Sequence, residues 1–117
     1  KNIVHRDLKP DNILITKDLD AMLSDFSICS IIQGEDTFRK TEGNNYFFAP
    51  ELCQGKTSFR AKPVDIWAYG VCAYIMIYNK FPIIPKNKLN LILLFDMIRA
   101  GEIEYPSSKI KRQTTIR

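Results

Sequence analysis

His5-Arg6-Asp7-Leu8-Lys9-Pro10-Asp11-Asn12 is the stretch that decides the fold, because it sets an acid, a cation and an amide at fixed offsets. Phosphoryl transfer needs a carboxylate that orients a hydroxyl and accepts its proton, a cation that offsets phosphoryl charge, and an oxygen ligand for magnesium. Asp7, Lys9 and Asn12 supply these three groups in order. By residue frequency alone, His-Arg-Asp with Asn five residues after the Asp arises about once in 160,000 windows. The stretch therefore predicts a catalytic loop.

Two short apolar runs follow this loop, with a charged turn between them. Such β-prone runs around a polar turn predict a β-hairpin over residues 13–24. A hairpin brings its two ends together, so Asn12 and Asp25 should lie close to each other. Magnesium usually takes one or two carboxylates together with phosphate oxygens. We therefore expect Asn12 and Asp25 to share a magnesium site.

Four motifs resemble those of the eukaryotic protein kinase family, in the family's order. They are the catalytic loop over residues 1–12, Asp25-Phe26-Ser27 in place of Asp-Phe-Gly, Ala49-Pro50-Glu51, and Asp65-Ile66-Trp67-Ala68-Tyr69-Gly70. The resemblance implies an α+β fold: the mainly helical C-terminal lobe of a kinase with one small β-hairpin, incomplete. A lysine at the offset of Lys9 implies the serine/threonine type.

The resemblance also implies a role for each residue of the site. Asp7 would be the base that orients the substrate hydroxyl, and Lys9 would neutralise the γ-phosphate. Asn12 and Asp25 would hold magnesium between the phosphates, so ATP and Mg²⁺ are the expected cofactors. Leu14 matches the residue beneath the adenine ring, although core packing alone explains a leucine equally well.

Other residues near the loop have implied roles outside the chemistry. His5 is expected to be a packed structural residue near Phe26 rather than a base. Asp11 matches a position where some kinases contact a basic residue, so the expected partner is a protein substrate with basic segments. Asn44 stands where the family typically has a threonine that ties the residues matching Lys9 and Asp7.

Residues 28–46 are polar and mixed, without clear periodicity, which predicts a mobile surface loop. In the kinase resemblance this loop belongs to the activation segment, residues 25–51. Thr37 and Thr41 are candidate phosphorylation sites within it. Arg6 would pair with such a phosphate, and an upstream kinase would then be a partner. An ordinary loop hydroxyl explains each threonine as well.

Two helices are predicted beyond the activation segment. The first covers residues 63–78 and is apolar on nearly every face, so it should be surrounded by protein. Its one charge, Asp65, can cap backbone donors at the helix start, and in the resemblance it holds the catalytic-loop backbone. The second covers residues 89–99, with apolar residues at three- and four-residue spacings, and resembles the calmodulin-dependent kinase group. Residues 107–117 form a polar, basic tail.

Charge and cysteine content limit the class of protein. The net charge is +4, with basic residues spread along the chain and one local cluster at 109–112, which is typical of a solvated tail rather than a nucleic-acid patch. Three cysteines without a Cys-x-x-Cys pair predict reduced thiols in an intracellular protein, cytoplasmic or nuclear. The longest apolar run, 66–78, is shorter than the ~20 residues of a membrane span. Neither nucleic acid nor membrane is an expected partner.

Three interpretations stay open. The first is an active serine/threonine kinase of which these residues form one part. They are only a part, because the 117 residues contain no Gly-x-Gly-x-x-Gly loop and no assignable strand lysine. This piece alone should be inactive and should aggregate through exposed apolar surface. The second is a kinase-like binding or allosteric module without turnover, suggested by Asn44 and by Ser27, which restricts the positive φ that glycine allows. The third is an unrelated helical domain with chance matches.

Overall fold

The computed structural model describes residues 2–55 and 57–107, which form an α+β arrangement of short strands and two α-helices. The elements are β1 (Ile3–Val4), β2 (Ile13–Ile15), β3 (Ala21–Leu23), β4 (Ser30–Ile31), α1 (Ala61–Tyr78) and α2 (Leu91–Ala100). Single 3-10 turns cover Pro10–Asn12, Asn45–Phe47 and Pro50–Cys53. The predicted polar tail lies outside the described residues except for Ser107, and so does the basic cluster at 109–112.

Strands β2 and β3 form the expected hairpin. They are antiparallel, with Leu14 opposite Met22. Thr16 closes the turn, because its hydroxyl accepts from the Asp20 amide at 3.1 Å and its own amide donates to the Asp20 carbonyl at 2.9 Å. At the open end the Ser24 amide donates to the Asn12 carbonyl at 2.9 Å. The hairpin thus holds Asn12 beside the residue that precedes Asp25.

The activation segment is more regular than the polar composition of residues 28–46 predicts. Strand β4 pairs antiparallel with β1, which leads into the catalytic loop. Further along, Phe38 and Phe59 exchange backbone hydrogen bonds of 2.8 and 2.9 Å. Pairings of one or two residues carry no periodicity, so the polar composition did not indicate them.

Helix α1 begins at Ala61, two residues before the predicted start. The cause is Asp36, whose carboxylate accepts from the Ala61 and Lys62 amides at 2.9 and 3.1 Å. These donors have no partner within a helix, and a capping carboxylate satisfies them. The helix ends at Asn79, which adopts the left-handed conformation at φ 54°.

The expectation that α1 is surrounded by protein is wrong for the residues described. One side packs into the core through Ala68, Val71 and Cys72. The other side carries Ile66 and Met76, whose side chains are 70% and 66% exposed. An apolar composition on every face therefore coincides with burial on one side of the helix only.

Helix α2 covers Leu91–Ala100, shifted from the predicted 89–99 by its two caps. The Asn90 side chain accepts from the Leu93 amide at 3.0 Å, and Gly101 ends the helix in the left-handed conformation. Leu94 and Ile98 are buried in a core with Phe48 and Cys53. Among the helices within residues 2–55 and 57–107, none is long and apolar enough to cross a membrane.

Candidate active site

The catalytic loop is hydrogen-bonded to Asp65 of α1 through its backbone. One carboxylate oxygen accepts from the His5 amide at 2.7 Å and the other from the Arg6 amide at 2.9 Å. Asp65 therefore holds the backbone of the loop, as the resemblance implied. The cap at the start of α1, which we expected from Asp65, comes from Asp36 instead. Arg6 lies in the left-handed region at φ 73°. Two strong backbone hydrogen bonds beside this residue fix a turn that a non-glycine residue seldom adopts.

His5 is buried and packed. Its Nε2 lies 2.8 Å from the Ser24 carbonyl and its Nδ1 accepts from the Asp7 amide at 3.2 Å. The ring meets Phe26 edge to face at 5.1 Å between centroids. Both ring nitrogens are engaged, so His5 fixes the loop and has no free atom for acid–base work.

Asp7 and Asn12 are joined directly. The Asn12 side-chain nitrogen donates to the Asp7 carbonyl at 2.8 Å and approaches the Asp7 carboxylate at 3.3 Å. Asn12 is buried, and its carbonyl accepts from both the amide and the hydroxyl of Ser24. This network orients the Asp7 carboxylate and leaves the Asn12 side-chain oxygen as the free end of the amide.

Asp25 is exposed and stands in the left-handed region at φ 57°. The Ser27 hydroxyl donates to its Oδ1 at 2.7 Å, and the Ser27 amide donates to the same atom at 3.3 Å. These hydrogen bonds, and to a smaller extent the nearby charge of Lys9, lower the pKa of Asp25. Ser27 itself has no positive φ. A serine here therefore adopts this conformation without the strain that its replacement of glycine suggested.

Lys9 and Leu14 flank this group. Lys9 is extended at φ −157° just before the 3-10 turn that carries Asn12, and its charge is near enough to act on Asp25. Leu14 is 55% exposed on β2. Core packing, the alternative explanation for this leucine, does not apply among the described residues.

Glu42 is a residue of the site that the sequence did not indicate. Its carboxylate lies 3.6 Å from the Arg6 guanidinium and 2.6 Å from the Lys40 amine. Arg6 also donates to the Lys40 carbonyl and stacks over the Phe38 ring at 5.0 Å. We expected Arg6 to pair with a phosphate on the activation segment. In the structure it pairs with the Glu42 carboxylate instead. The hydrogen bond from Lys40, then the charges of Lys40 and Arg6, lower the pKa of Glu42.

Gly43 allows this close approach of the activation segment to the catalytic loop. It adopts φ 104°, and a Cβ atom there would lie 2.7 Å from the Arg6 carbonyl oxygen. Any side chain would force the two segments apart. The glycine is therefore required by contact as well as by conformation.

Asn44 and Glu51 both lie at short 3-10 turns at the end of the activation segment. The Asn44 side chain accepts from the Tyr46 amide at 3.0 Å and so caps a 3-10 turn. The Asn44 oxygen thus serves as a local cap. Glu51 is half-buried, and no basic side chain within residues 2–55 and 57–107 forms an ion pair with it.

Comparison with known proteins identifies the family of this chain. The family model described as "Protein kinase domain" matches residues 1–115. The serine/threonine-protein kinase stk11 homolog of Dictyostelium discoideum is 38% identical over 110 residues, which are 92% of this chain and 18% of that protein. Protein kinase kin1 of Schizosaccharomyces pombe is 35% identical over 106 residues, 91% of this chain and 11% of kin1. Serine/threonine-protein kinase GRIK1 of Arabidopsis thaliana is 38% identical over 82 residues, 69% of this chain and 20% of GRIK1.

The chain belongs to the eukaryotic protein kinase family, of the serine/threonine type. It spans less than a quarter of the length of each of these three relatives. The family match removes the interpretation of a helical domain with chance motifs.

Proposed function

We propose that the full-length protein transfers the γ-phosphate of ATP to serine or threonine hydroxyls of a protein substrate. The observation that carries this proposal is the hydrogen-bonded pair of Asp7 and Asn12, with Asn12 bound to the residue that precedes the exposed Asp25. The Asn12 amide nitrogen donates to the Asp7 backbone carbonyl at 2.8 Å and to the Asp7 carboxylate at 3.3 Å, and the hairpin joins Asn12 to Ser24, the residue before Asp25. The loop and the hairpin together would bring a proton acceptor and two metal ligands to one place.

The donor set fits magnesium. Asn12 offers an amide oxygen because its nitrogen is bound to Asp7, and Asp25 offers Oδ2 because Ser27 holds Oδ1. Within residues 2–55 and 57–107 no group of three His, Cys, Asp or Glu side chains could hold a metal unaided. Magnesium suits such a site, because it takes one or two protein oxygens and completes its octahedron with phosphate and water. Bound there, it would neutralise charge on the phosphates.

Each functional residue of the loop then has its own role in the reaction. The substrate hydroxyl attacks the γ-phosphorus, the bond from that phosphorus to the bridging oxygen breaks, and ADP leaves. Asp7 orients the hydroxyl and accepts its proton. Lys9 stabilises the charge that develops on the phosphoryl oxygens. Asn12 acts on Asp7 as well, since it holds the carboxylate in one orientation.

The exposed face of the hairpin suits the adenine ring. Leu14 and Met22 lie opposite each other in the register of the sheet, and both side chains are more than half exposed. A flat apolar surface next to Asn12 and Asp25 would receive the base while the phosphates reach the metal ligands. We therefore propose Leu14 as a nucleotide contact.

A basic segment of a protein substrate is the proposed partner. Asp11 is exposed and lines an open groove with Lys9, Phe47 and Phe81. An exposed carboxylate in a groove next to the catalytic loop would attract a basic side chain near the phosphorylated residue. Thr37 and Thr41 are both exposed and remain candidate sites for an upstream kinase. Three free cysteines support a cytoplasmic or nuclear location.

The test is phosphate transfer by the full-length protein. With Mg²⁺ and ATP it should phosphorylate serine and threonine peptides with flanking basic residues, and tyrosine versions of the same peptides poorly. An Asp11→Asn variant should lose the preference for basic over neutral peptides without loss of rate on the neutral ones. Equal transfer to tyrosine peptides would contradict the serine/threonine assignment.

The alternative is a kinase-like module that binds nucleotide or partners without turnover. The use of the Asn44 oxygen as a local cap favours it, because this asparagine stands where the family has a threonine and makes a local contact instead. The unstrained Ser27 weighs against it. A full-length protein that binds Mg-ATP but phosphorylates no peptide, even after treatment with an upstream kinase, would establish this alternative.

A further inference from the structure

The Ser27 hydroxyl lies on the carboxylate that is proposed to hold magnesium. Its Oγ is 2.7 Å from Asp25 Oδ1, and the Ser27 amide approaches the same oxygen at 3.3 Å. Both residues are exposed. An exposed carboxylate rotates freely unless neighbouring donors hold it, and ordering it costs conformational entropy. These two donors therefore determine which oxygen Asp25 presents.

We propose that Ser27 is a positioning residue for magnesium, whose hydroxyl holds Asp25 Oδ1 so that Oδ2 remains for the metal. The inference rests on the proposed kinase function, because it takes Asp25 as a metal ligand. It assigns a task to the one residue that departs from Asp-Phe-Gly. A glycine at this position would keep the amide donor and lose the hydroxyl.

The direction of the effect follows from two opposing contributions. Outer hydrogen bonds orient a metal-binding carboxylate, and their loss lowers metal affinity. The hydroxyl also occupies one lone pair that the metal would otherwise use. An ionised carboxylate has about four such sites, so one donor leaves room for the metal. Orientation should therefore dominate, and the hydroxyl should strengthen binding.

The backbone makes this contribution measurable by substitution. Ser27 has no positive φ, so alanine and threonine fit its conformation without strain. Both variants keep the backbone amide that lies 3.3 Å from Asp25 Oδ1, so the two differ from each other in the hydroxyl. Ser27→Ala removes the hydroxyl, and Ser27→Thr keeps it. Ser58→Ala serves as a control, because Ser58 is exposed and lies outside the site.

The experiment measures binding of ADP to the full-length protein with and without Mn²⁺, by calorimetry, and the bound Mn²⁺ by electron paramagnetic resonance. Ser27→Ala should weaken binding in the presence of Mn²⁺ by about three- to tenfold. Its binding of ADP without metal should be unchanged. Ser27→Thr and Ser58→Ala should match the wild type. A matching rise, about three- to tenfold, is expected in the Mg²⁺ concentration for half-maximal transfer, with the peptide KM unchanged.

The other outcomes overturn the inference, the proposed function, or both. Equal Mn²⁺-dependent affinity in Ser27→Ala would show that the hydroxyl positions nothing, and tighter binding would show that it competes with the metal. A wild type that binds no Mn²⁺ with ADP would overturn the inference and the proposed function together. A wild type that binds it but transfers no phosphate would overturn the kinase function alone, and Ser27→Ala would still decide the role of the hydroxyl.

Discussion

Arg6 is the residue through which the activation segment meets the catalytic loop, and Glu42 supplies the opposite charge. Glu42 lies within 3.6 Å of Arg6 and 2.6 Å of Lys40, while the Phe38 ring covers the guanidinium. A phosphate on Thr37 or Thr41 would have to compete with this carboxylate. The unmodified side chain of Glu42 thus holds residues 38–43 against the catalytic loop.

Glu42→Gln should loosen residues 38–43, because it removes both ion pairs. We expect trypsin to cleave the native full-length protein after Arg39 or Lys40 several-fold faster. Glu35→Gln is the matched control, since Glu35 is exposed in the same segment and forms no ion pair among the described residues. Equal cleavage of the two variants would show that Glu42 does not order the segment.

The same substitution has a predictable pH dependence. The pKa of Glu42 lies below the ordinary value of 4.5, chiefly because Lys40 donates to it. A carboxyl with a lowered folded-state pKa stabilises the fold above its unfolded pKa and loses that contribution as pH falls through the folded value. The difference in stability between wild type and Glu42→Gln should therefore be full at pH 7 and shrink below pH 4.5. Urea unfolding at pH 7 and pH 4 checks this, and a difference that grows on acidification would contradict it.

Among single residues, the sequence was most informative where the residues of a site lie close together along the chain. Asp7, Lys9 and Asn12 lie within six residues, so their spacing alone indicated their grouping. Glu42 was missed because nothing near it in sequence marks it. Its partner Arg6 is distant along the chain, and only the positive φ of Gly43 and its contact with Arg6 bring the two together.

Helix α1 illustrates the element scale, because its start depends on a residue outside it. Asp36 accepts from the amides of Ala61 and Lys62, while the Phe38–Phe59 pairing keeps the two segments adjacent. Apolar composition predicted the helix, but it could not predict a cap from 25 residues upstream. Strands β1 and β4 were missed for a similar reason, since two-residue strands form only through tertiary pairing.

Asp36→Ala should destabilise the start of α1 by ~1 kcal/mol, the usual cost of a lost N-terminal cap. In a domain of 150–250 residues this corresponds to a Tm lower by about 2–4 °C. Thermal unfolding of the full-length protein, followed by circular dichroism, measures it. Asp18→Ala, in the exposed turn of the hairpin, should leave Tm unchanged. A Tm shift as large for Asp18→Ala would contradict the assignment of a cap.

The whole molecule presents an apolar surface along α1 that the described residues leave uncovered. Ile66, Tyr69 and Met76 are each about two-thirds exposed. The family fold, the hairpin and the two helices were all predicted from motifs and periodicity. Exposed apolar surface on the isolated chain was also expected, but its position on α1 was not, because a sequence that is apolar on every face does not say which neighbours cover it.

The 117-residue chain expressed alone should therefore self-associate, since exposed apolar patches of this kind drive association. Size-exclusion chromatography with light scattering should show species larger than a monomer that grow with concentration. The double substitution Ile66→Lys with Met76→Lys should shift the chain toward monomer. A wild-type chain that is monodisperse and melts cooperatively would contradict this expectation.

The most direct test of the kinase assignment compares phosphate transfer from radiolabelled Mg-ATP by the full-length protein and by its Asp7→Asn variant. Because Asn12 holds Asp7 in place as the proton acceptor, the variant should bind Mg-ATP normally and transfer at least about 100-fold more slowly. Asp18→Asn should transfer at the wild-type rate. Undiminished transfer by Asp7→Asn would contradict the role of Asp7, and a wild type that binds Mg-ATP without transfer would contradict the kinase assignment itself.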